Sequence, residues 1–156
     1  MIYQVRGIPI YMSERTLLVC PIPREYTLEG SIRGFRSNFP LDFRTMVGDM
    51  KPDHTVSDER KETVFFELGS YLLTDYGDQK VCWICVHSGE HNNYQMHAVE
   101  SIIEAMAEDG LHQEFDMAFP LLGHYEEDGI SAYDVALLIK ENFGDTDKII
   151  DIHVDY

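Results

Sequence analysis

Apolar and polar positions switch between two periods along this chain. Ile2 to Ile10 alternates and is rich in β-formers, which predicts a strand. Thr16-Leu17-Leu18-Val19-Cys20 is a continuous apolar run, as expected of a strand covered on both faces. Pro21-Ile22-Pro23 is expected to end it, because proline lacks the ladder donor and excludes helix. Ser31 to Phe39 suits a short helix, capped near Gly30 or Ser31 and closed by Pro40. Leu41 to Thr55 has no period and contains Gly48 and Pro52, so a loop is expected. After Ser57, residues Val64, Phe65, Leu68, Tyr71 and Leu72 share one helical face, and the spacing predicts a helix closed by Gly77.

Lys80 to His87 is the clearest central strand. Asn92 or Asn93 then caps a helix that buries Tyr94, Ala98, Ile102, Ala105 and Met106 and ends at Gly110, a C′ glycine. Phe115 to Leu121 reads as the next strand. Ser131 caps a helix through Val135, Leu138 and Ile139, stopped by Gly144. Lys148 to Val154 is the last strand, alternating Ile150, Ile152 and Val154 against Asp151, His153 and Asp155. Strands alternating with helices imply an α/β fold, a three-layer α/β/α sandwich with a mixed, mainly parallel sheet. At 156 residues the chain suits one domain, residues 1–156, around a single core.

Composition narrows the class. A hydrophobic fraction of 44% excludes a disordered chain, and no apolar run approaches the roughly 20 residues of a membrane helix. The N-terminus lacks a basic region, so no signal peptide is expected and a cytoplasmic chain follows, in the host cytoplasm for a virus. The net charge of −16 argues against direct binding to nucleic acid or anionic membrane. It leaves solubility, or an acidic surface for a basic protein partner. Cys82-Trp83-Ile84-Cys85 has CxxC spacing, but residues three apart on a strand point to opposite faces. A second ligand pair is also missing. The cysteines are therefore expected to pack as small buried hydrophobes.

Two segments concentrate the candidate chemistry. Leu28-Glu29-Gly30-Ser31-Ile32-Arg33-Gly34-Phe35 and Leu121-Leu122-Gly123-His124-Tyr125-Glu126-Glu127-Asp128-Gly129 each follow a strand and lead into a helical pattern. A strand, glycine loop and helix aim backbone N–H groups at one point, which suits a phosphate. Arg24, Arg33 and Arg36 add positive charge to the first loop of an acidic chain.

The element order and these loops resemble the macro domain, a fold that binds ADP-ribose. The likeness spans nearly the whole chain. Leu18-Val19-Cys20, Gly30, Phe35 and Phe39-Pro40 look like the family's first loop. Ala118-Phe119-Pro120-Leu121-Leu122-Gly123 and the helix from Asp134 look like its second. In character the chain is nearest the branch resembling ADP-ribose 1″-phosphate phosphatases, often encoded by microbes and viruses. The resemblance implies binding of ADP-ribose or a related nucleotide, with hydrolysis of the phosphatase or de-ADP-ribosylation type as a further expectation. It implies ligand contacts from Cys20, Gly30, Ser31, Ile32, Pro120, Leu122, Gly123 and Tyr125, with His124 as the polar catalyst and no cofactor.

The pocket departs from the family pattern at several places. Ile8 stands where the family has an Asp that holds the adenine amino group, and Pro21-Ile22-Pro23 replaces an Asn-rich turn. Leu28 replaces a glycine, and Glu126, Glu127 and Asp128 replace the second loop's glycines. A metal site from His87, Glu90 and His91 with Glu126 or Asp128 would need mixed zinc or manganese ligation. There is no HExxH, and the histidine spacing spans Gly89, so no metal is expected. The alternative from another class is a non-catalytic acidic interaction protein, such as a viral counter-defence factor or nucleic-acid mimic.

Overall fold

In the computed structural model, residues 2–8, 10–23, 25–27, 54–58, 61–65, 67–87, 96–120, 122 and 132–153 are described. Their elements are β1 (Ile2–Arg6), a 3₁₀ turn (Ile10–Met12), β2 (Leu17–Pro23), β3 (Glu25–Thr27), β4 (His54–Asp58), β5 (Lys61–Phe65), β6 (Tyr71–Tyr76) and β7 (Gln79–His87). Then follow α1 (Met96–Glu108), α2 (Leu111–Glu114), β8 (Met117–Pro120), α3 (Ala132–Phe143) and β9 (Ile149–His153).

Six strands form the main sheet in the order β1-β9-β8-β2-β7-β6. The first five are mutually parallel, and β6 pairs antiparallel with β7 at the edge. This is the expected α/β class with a mixed, mainly parallel sheet. A second, antiparallel sheet has the order β3-β5-β4.

One face of the main sheet packs against the helices. Leu17 and Val19 of β2, Cys82, Ile84 and Val86 of β7, Met117 and Phe119 of β8, and Ile150 and Ile152 of β9 form a single cluster there. Val99, Ile102, Ile103 and Met106 of α1 and Val135, Ile139 and Phe143 of α3 complete it. The positions three and four apart on α1 are the stripe that the sequence pattern implies. Gly110 closes α1 in the left-handed region at φ 75°, as a C′ glycine does, and also begins α2. Gly144 follows α3; a Cβ there would meet the Lys140 carbonyl at 2.6 Å, so only glycine fits.

The opposite face is equally dry. Leu18, Cys20, Val81, Trp83, Cys85 and Ala118 are all buried there. Cys82 and Cys85 thus point to opposite faces, and Cys20, Cys82 and Cys85 are all buried reduced thiols, as the strand geometry requires.

Three expectations fail. The helix over 57–77 is instead parts of strands β4, β5 and β6. Its apparent helical face is a coincidence of spacing in a segment rich in Thr, Val, Phe and Tyr, which favour the pleated surface. Gly77-Asp78 is the two-residue turn joining Tyr76 to Gln79; Gly77 has φ 59° and no non-glycine residue among those described has positive φ. That is the signature of a type II′ hairpin.

The second failure is at Pro21-Ile22-Pro23, which continues β2 rather than ending it. The Leu17 N–H donates to the Asp116 carbonyl at 3.1 Å, so odd-numbered N–H groups of β2 face β8. Pairing with β8 covers only Leu17 and Leu18, whereas pairing with β7 runs on to Pro23. Pro21 therefore lacks a donor only on a side that has no partner. The third failure is the end of the expected loop over Leu41 to Thr55, where His54 and Thr55 begin β4. The final strand forms as expected, as β9. Asp151 and His153 are 2% and 3% exposed, as buried as the isoleucines they alternate with, because β9 lies between two parallel neighbours in a sheet covered on both faces. Ser31 to Phe39, Asn92, Asn93, Tyr94 and Ser131 lie outside the described residues.

Candidate functional site

The topology fixes where a ligand can sit. From β2 the chain moves toward β7 and β6, and from β8 it moves the other way, toward β9. Adjacent parallel strands whose connections run in opposite directions make a switch point. Open α/β sheets bind ligands in the crevice beyond the carboxyl ends of such strands.

The backbone also limits how far β2 and β8 pair toward that edge. The Asp116 carbonyl faces β2, so strand alternation turns the nitrogen of Pro120 toward β2 as well. Pro21 faces back toward β8. Two residues without N–H groups thus lie where β2 and β8 would continue to pair, and pairing stops at Leu18 and Ala118. The segments that leave this edge after β1, β2, β7 and β8 begin at Gly7, Arg24, Ser88 and Leu121. In sequence the second glycine loop follows β8, whereas the first follows β3 of the smaller sheet and not, as expected, a strand of the main one.

Of the candidate ligand contacts, three are described. Cys20 is 1% exposed, paired with Trp83 across β2 and β7, and the strand runs three residues beyond it. Burial, and then the neighbouring Cys82, push its thiol well above the usual range, so it is held as an inert thiol. Pro120 ends β8 at the crevice, and Leu122 is buried two residues later. Gly30, Ser31, Ile32, Gly123, His124 and Tyr125 lie outside the described residues, as do Arg24, Arg33, Arg36, Glu90, His91, Glu126 and Asp128. Among the described residues no group of three or more metal-ligating side chains comes together.

The structure adds one residue that sequence reasoning passed over. His153 ends β9, level with Pro120 on one side and Arg6 on the other. Its Nδ1 lies 2.9 Å from the carbonyl oxygen of Ile8, in the segment that leaves β1. A carbonyl only accepts, so Nδ1 carries the proton. Nε2 is buried and has no hydrogen-bond partner. Two residues earlier on the same strand face, the Asp151 carboxylate accepts from the Arg15 guanidinium at 2.7 Å. The available signal was the position of the strand: a histidine on an interior parallel strand is covered whichever face it takes.

No family model and no curated protein matches the chain. Solved structures do. The macrodomain of Thermus aquaticus DarG superposes with a TM-score of 0.67 over 99% of both chains, at 12% identity. The Mycobacterium tuberculosis DarG macrodomain gives 0.66 over 97% of both chains, also at 12% identity. The chain has the macrodomain fold. Thermosipho africanus DarTG, solved in complex with ADP-ribose, matches with a TM-score of 0.60 over 92% of this chain and 39% of its own length, at 12% identity. Identities this low mean that the macrodomain architecture is shared while the side chains around the crevice are largely this chain's own.

Proposed function

We propose that this chain binds ADP-ribose or a related ADP-ribosyl nucleotide in the crevice beyond β2 and β8. The observation that carries the reading is the switch point of a macrodomain sheet, where β2 and β8 cease to pair before Pro21 and Pro120. A neighbour of the same fold was solved with ADP-ribose. In the finer reading, backbone amides around Gly30–Ile32 and Gly123–Tyr125 hold the phosphates and Tyr125 covers the distal ribose. His124 is then the polar catalyst of a hydrolysis of the phosphatase or de-ADP-ribosylation type, using positioned water and no covalent nucleophile. Calorimetric titration of ADP-ribose at moderate salt is the test. Micromolar binding supports the reading, and no heat at millimolar ligand overturns it. Where turnover is seen, His124→Ala abolishes it without lowering the unfolding temperature.

The charge of −16 favours a second reading, a non-catalytic protein whose acidic surface engages a basic protein partner. Its binding weakens steeply with salt and ignores nucleotide. Arg33→Glu separates the two, because it weakens nucleotide binding and spares the acidic interface.

A further inference from the structure

The two outer strands of the main sheet, β1 and β6, are guarded differently. β1 ends in the exposed Arg6. β6 reads Tyr71-Leu72-Leu73-Thr74-Asp75-Tyr76, a run of β-formers with Asp75 as its one charge. That charge is already matched, since the Lys80 ammonium lies 2.8 Å from the Asp75 carboxylate. Proteins guard exposed edges with unpaired charges or prolines, and β6 has neither.

The hydrogen-bond phase shows what this edge offers. The Cys85 N–H donates to the Ser70 carbonyl at 3.0 Å, just before β6. Antiparallel alternation then turns the backbone groups of Leu72, Thr74 and Tyr76 toward β7 and those of Tyr71, Leu73 and Asp75 outward. Among the described residues no strand pairs with that outer side. On the helix-bearing face Tyr71 and Leu73 are only partly buried against the core cluster. On the other face the Trp83 indole N–H holds the Thr74 hydroxyl at 2.7 Å, so the strand is well placed.

A strand that fits here must extend the apolar row and keep negative charge away from Asp75. A second copy of β6 does both. With a two-fold axis at Leu73, that residue meets its own image, Tyr71 faces Asp75 of the second copy, and Leu72 faces Thr74. Asp75 never meets Asp75. The outward N–H groups of each copy then find the outward carbonyls of the other. Such pairing uses up both edges and closes the assembly instead of propagating it.

We propose that β6 is a homodimer interface, in which two copies pair antiparallel about Leu73 and join their main sheets into one. β7 separates β6 from β2, so the crevice is left open and the dimer is independent of the nucleotide reading. Each copy carries a net charge of −16, so pairing strengthens as salt screens the repulsion. An acidic surface holding a basic protein would respond in the opposite sense.

The test is sedimentation velocity from micromolar to near-millimolar protein at low and moderate salt, with residue-resolved amide hydrogen exchange at the same concentrations. The expected result is a monomer–dimer equilibrium that salt shifts toward dimer. The amides of Tyr71, Leu73 and Asp75 become protected as the dimer forms, whereas those of Leu72, Thr74 and Tyr76 are protected throughout by β7. Asp75→Pro removes one outward donor and an exposed ion pair but leaves the β6–β7 ladder intact. It should weaken the dimer about tenfold or more. A monomer at every concentration overturns the proposal. So does a dimer whose Tyr71, Leu73 and Asp75 amides exchange freely, or one that Asp75→Pro leaves unchanged. Exchange on the unaltered chain needs no variant, so a variant that fails to fold does not remove the test. Failure of ADP-ribose to bind would overturn the nucleotide reading and leave the dimer standing.

Discussion

Asp116 and His153 stand at opposite ends of two neighbouring strands. Asp116 immediately precedes β8, and His153 is the last residue of β9. At the first position every bond is closed. The Asp116 carboxylate accepts from the Ile149 N–H at 2.8 Å, and its carbonyl accepts from the Leu17 N–H and the Thr16 hydroxyl. One residue thereby ties the starts of β2, β8 and β9. Nearby, Gln79 donates to the carbonyls of Ser13 and Arg15, both at 2.7 Å, and the Thr146 hydroxyl donates to the His112 carbonyl. At the other end an acceptor is left bare and two prolines withhold their donors. The amino edge uses its polar groups to hold strands together. Among the described residues the amino end is the more firmly tied, although His112 Nδ1 lacks a partner there too, and a firm base is what a scaffold presenting a binding site requires.

The largest expected effect falls on the core that both ends share. Phe119 is fully buried under α3, its ring 6.1 Å from that of Phe143. Phe119→Ala should lower the unfolding free energy by about 3–5 kcal/mol, through lost burial and the cavity left behind, as read by urea denaturation. Because β8 borders the proposed crevice, nucleotide affinity should fall with it. Asp116→Ala should cost about 1–3 kcal/mol, since the Ile149 N–H loses its acceptor. Nucleotide affinity should be unchanged; a parallel loss would mean that the two ends are coupled and that the division between them does not hold.

A smaller effect concerns pH. Burial raises the thiols of Cys20 and Cys82 above their ordinary range. The folded state therefore holds these protons more tightly than the unfolded chain. The stability they contribute is complete below the unfolded thiol pKa near ~8.5 and declines above it, by at most about 1.4 kcal/mol per pH unit for each thiol. Denaturation midpoints between neutral and mildly alkaline pH check the slope. Native-state labelling with a thiol reagent sharpens the comparison. Cys20 and Cys85 lie within three residues of the carboxyl ends of their strands and Cys82 lies five from the end of β7, so opening from that edge exposes Cys20 and Cys85 before Cys82.

Much of this architecture could be read from the residues, and the exceptions share a cause. Val81 to Val86 and the Leu17–Cys20 run announced themselves as strands because both faces are covered and the apolar run is unbroken. The α1 stripe and the Gly110 and Gly144 stops are local signals that packing did not override. The segment from Val64 to Leu72 failed because five apolar positions fit a helical face by accident, while the Gly77-Asp78 hairpin turn carried the better information. Pro21 failed because a proline's cost depends on which neighbour its nitrogen faces, and that is a property of the sheet. The site divides in the same way. The mainly parallel sheet and the macrodomain resemblance were legible from the strands and helices after Lys80 and the Ala118–Gly123 motif, while the second sheet was not. Nor was the bonding of His153, because it arises only once β1 and β9 are neighbours and the Ile8 carbonyl meets its ring.

The prolines have a further consequence. Pro21 and Pro120 have φ angles fixed by their own rings, and neither can offer a donor to the other strand. The floor between β2 and β8 is therefore set when the chain folds, before any ligand arrives. A ligand entering there loses none of its binding free energy to ordering that floor. Differences in affinity between ligands should then arise from residues other than these two prolines. The bottom of the crevice behaves as a constant, against which changes in the surrounding residues can be compared one at a time.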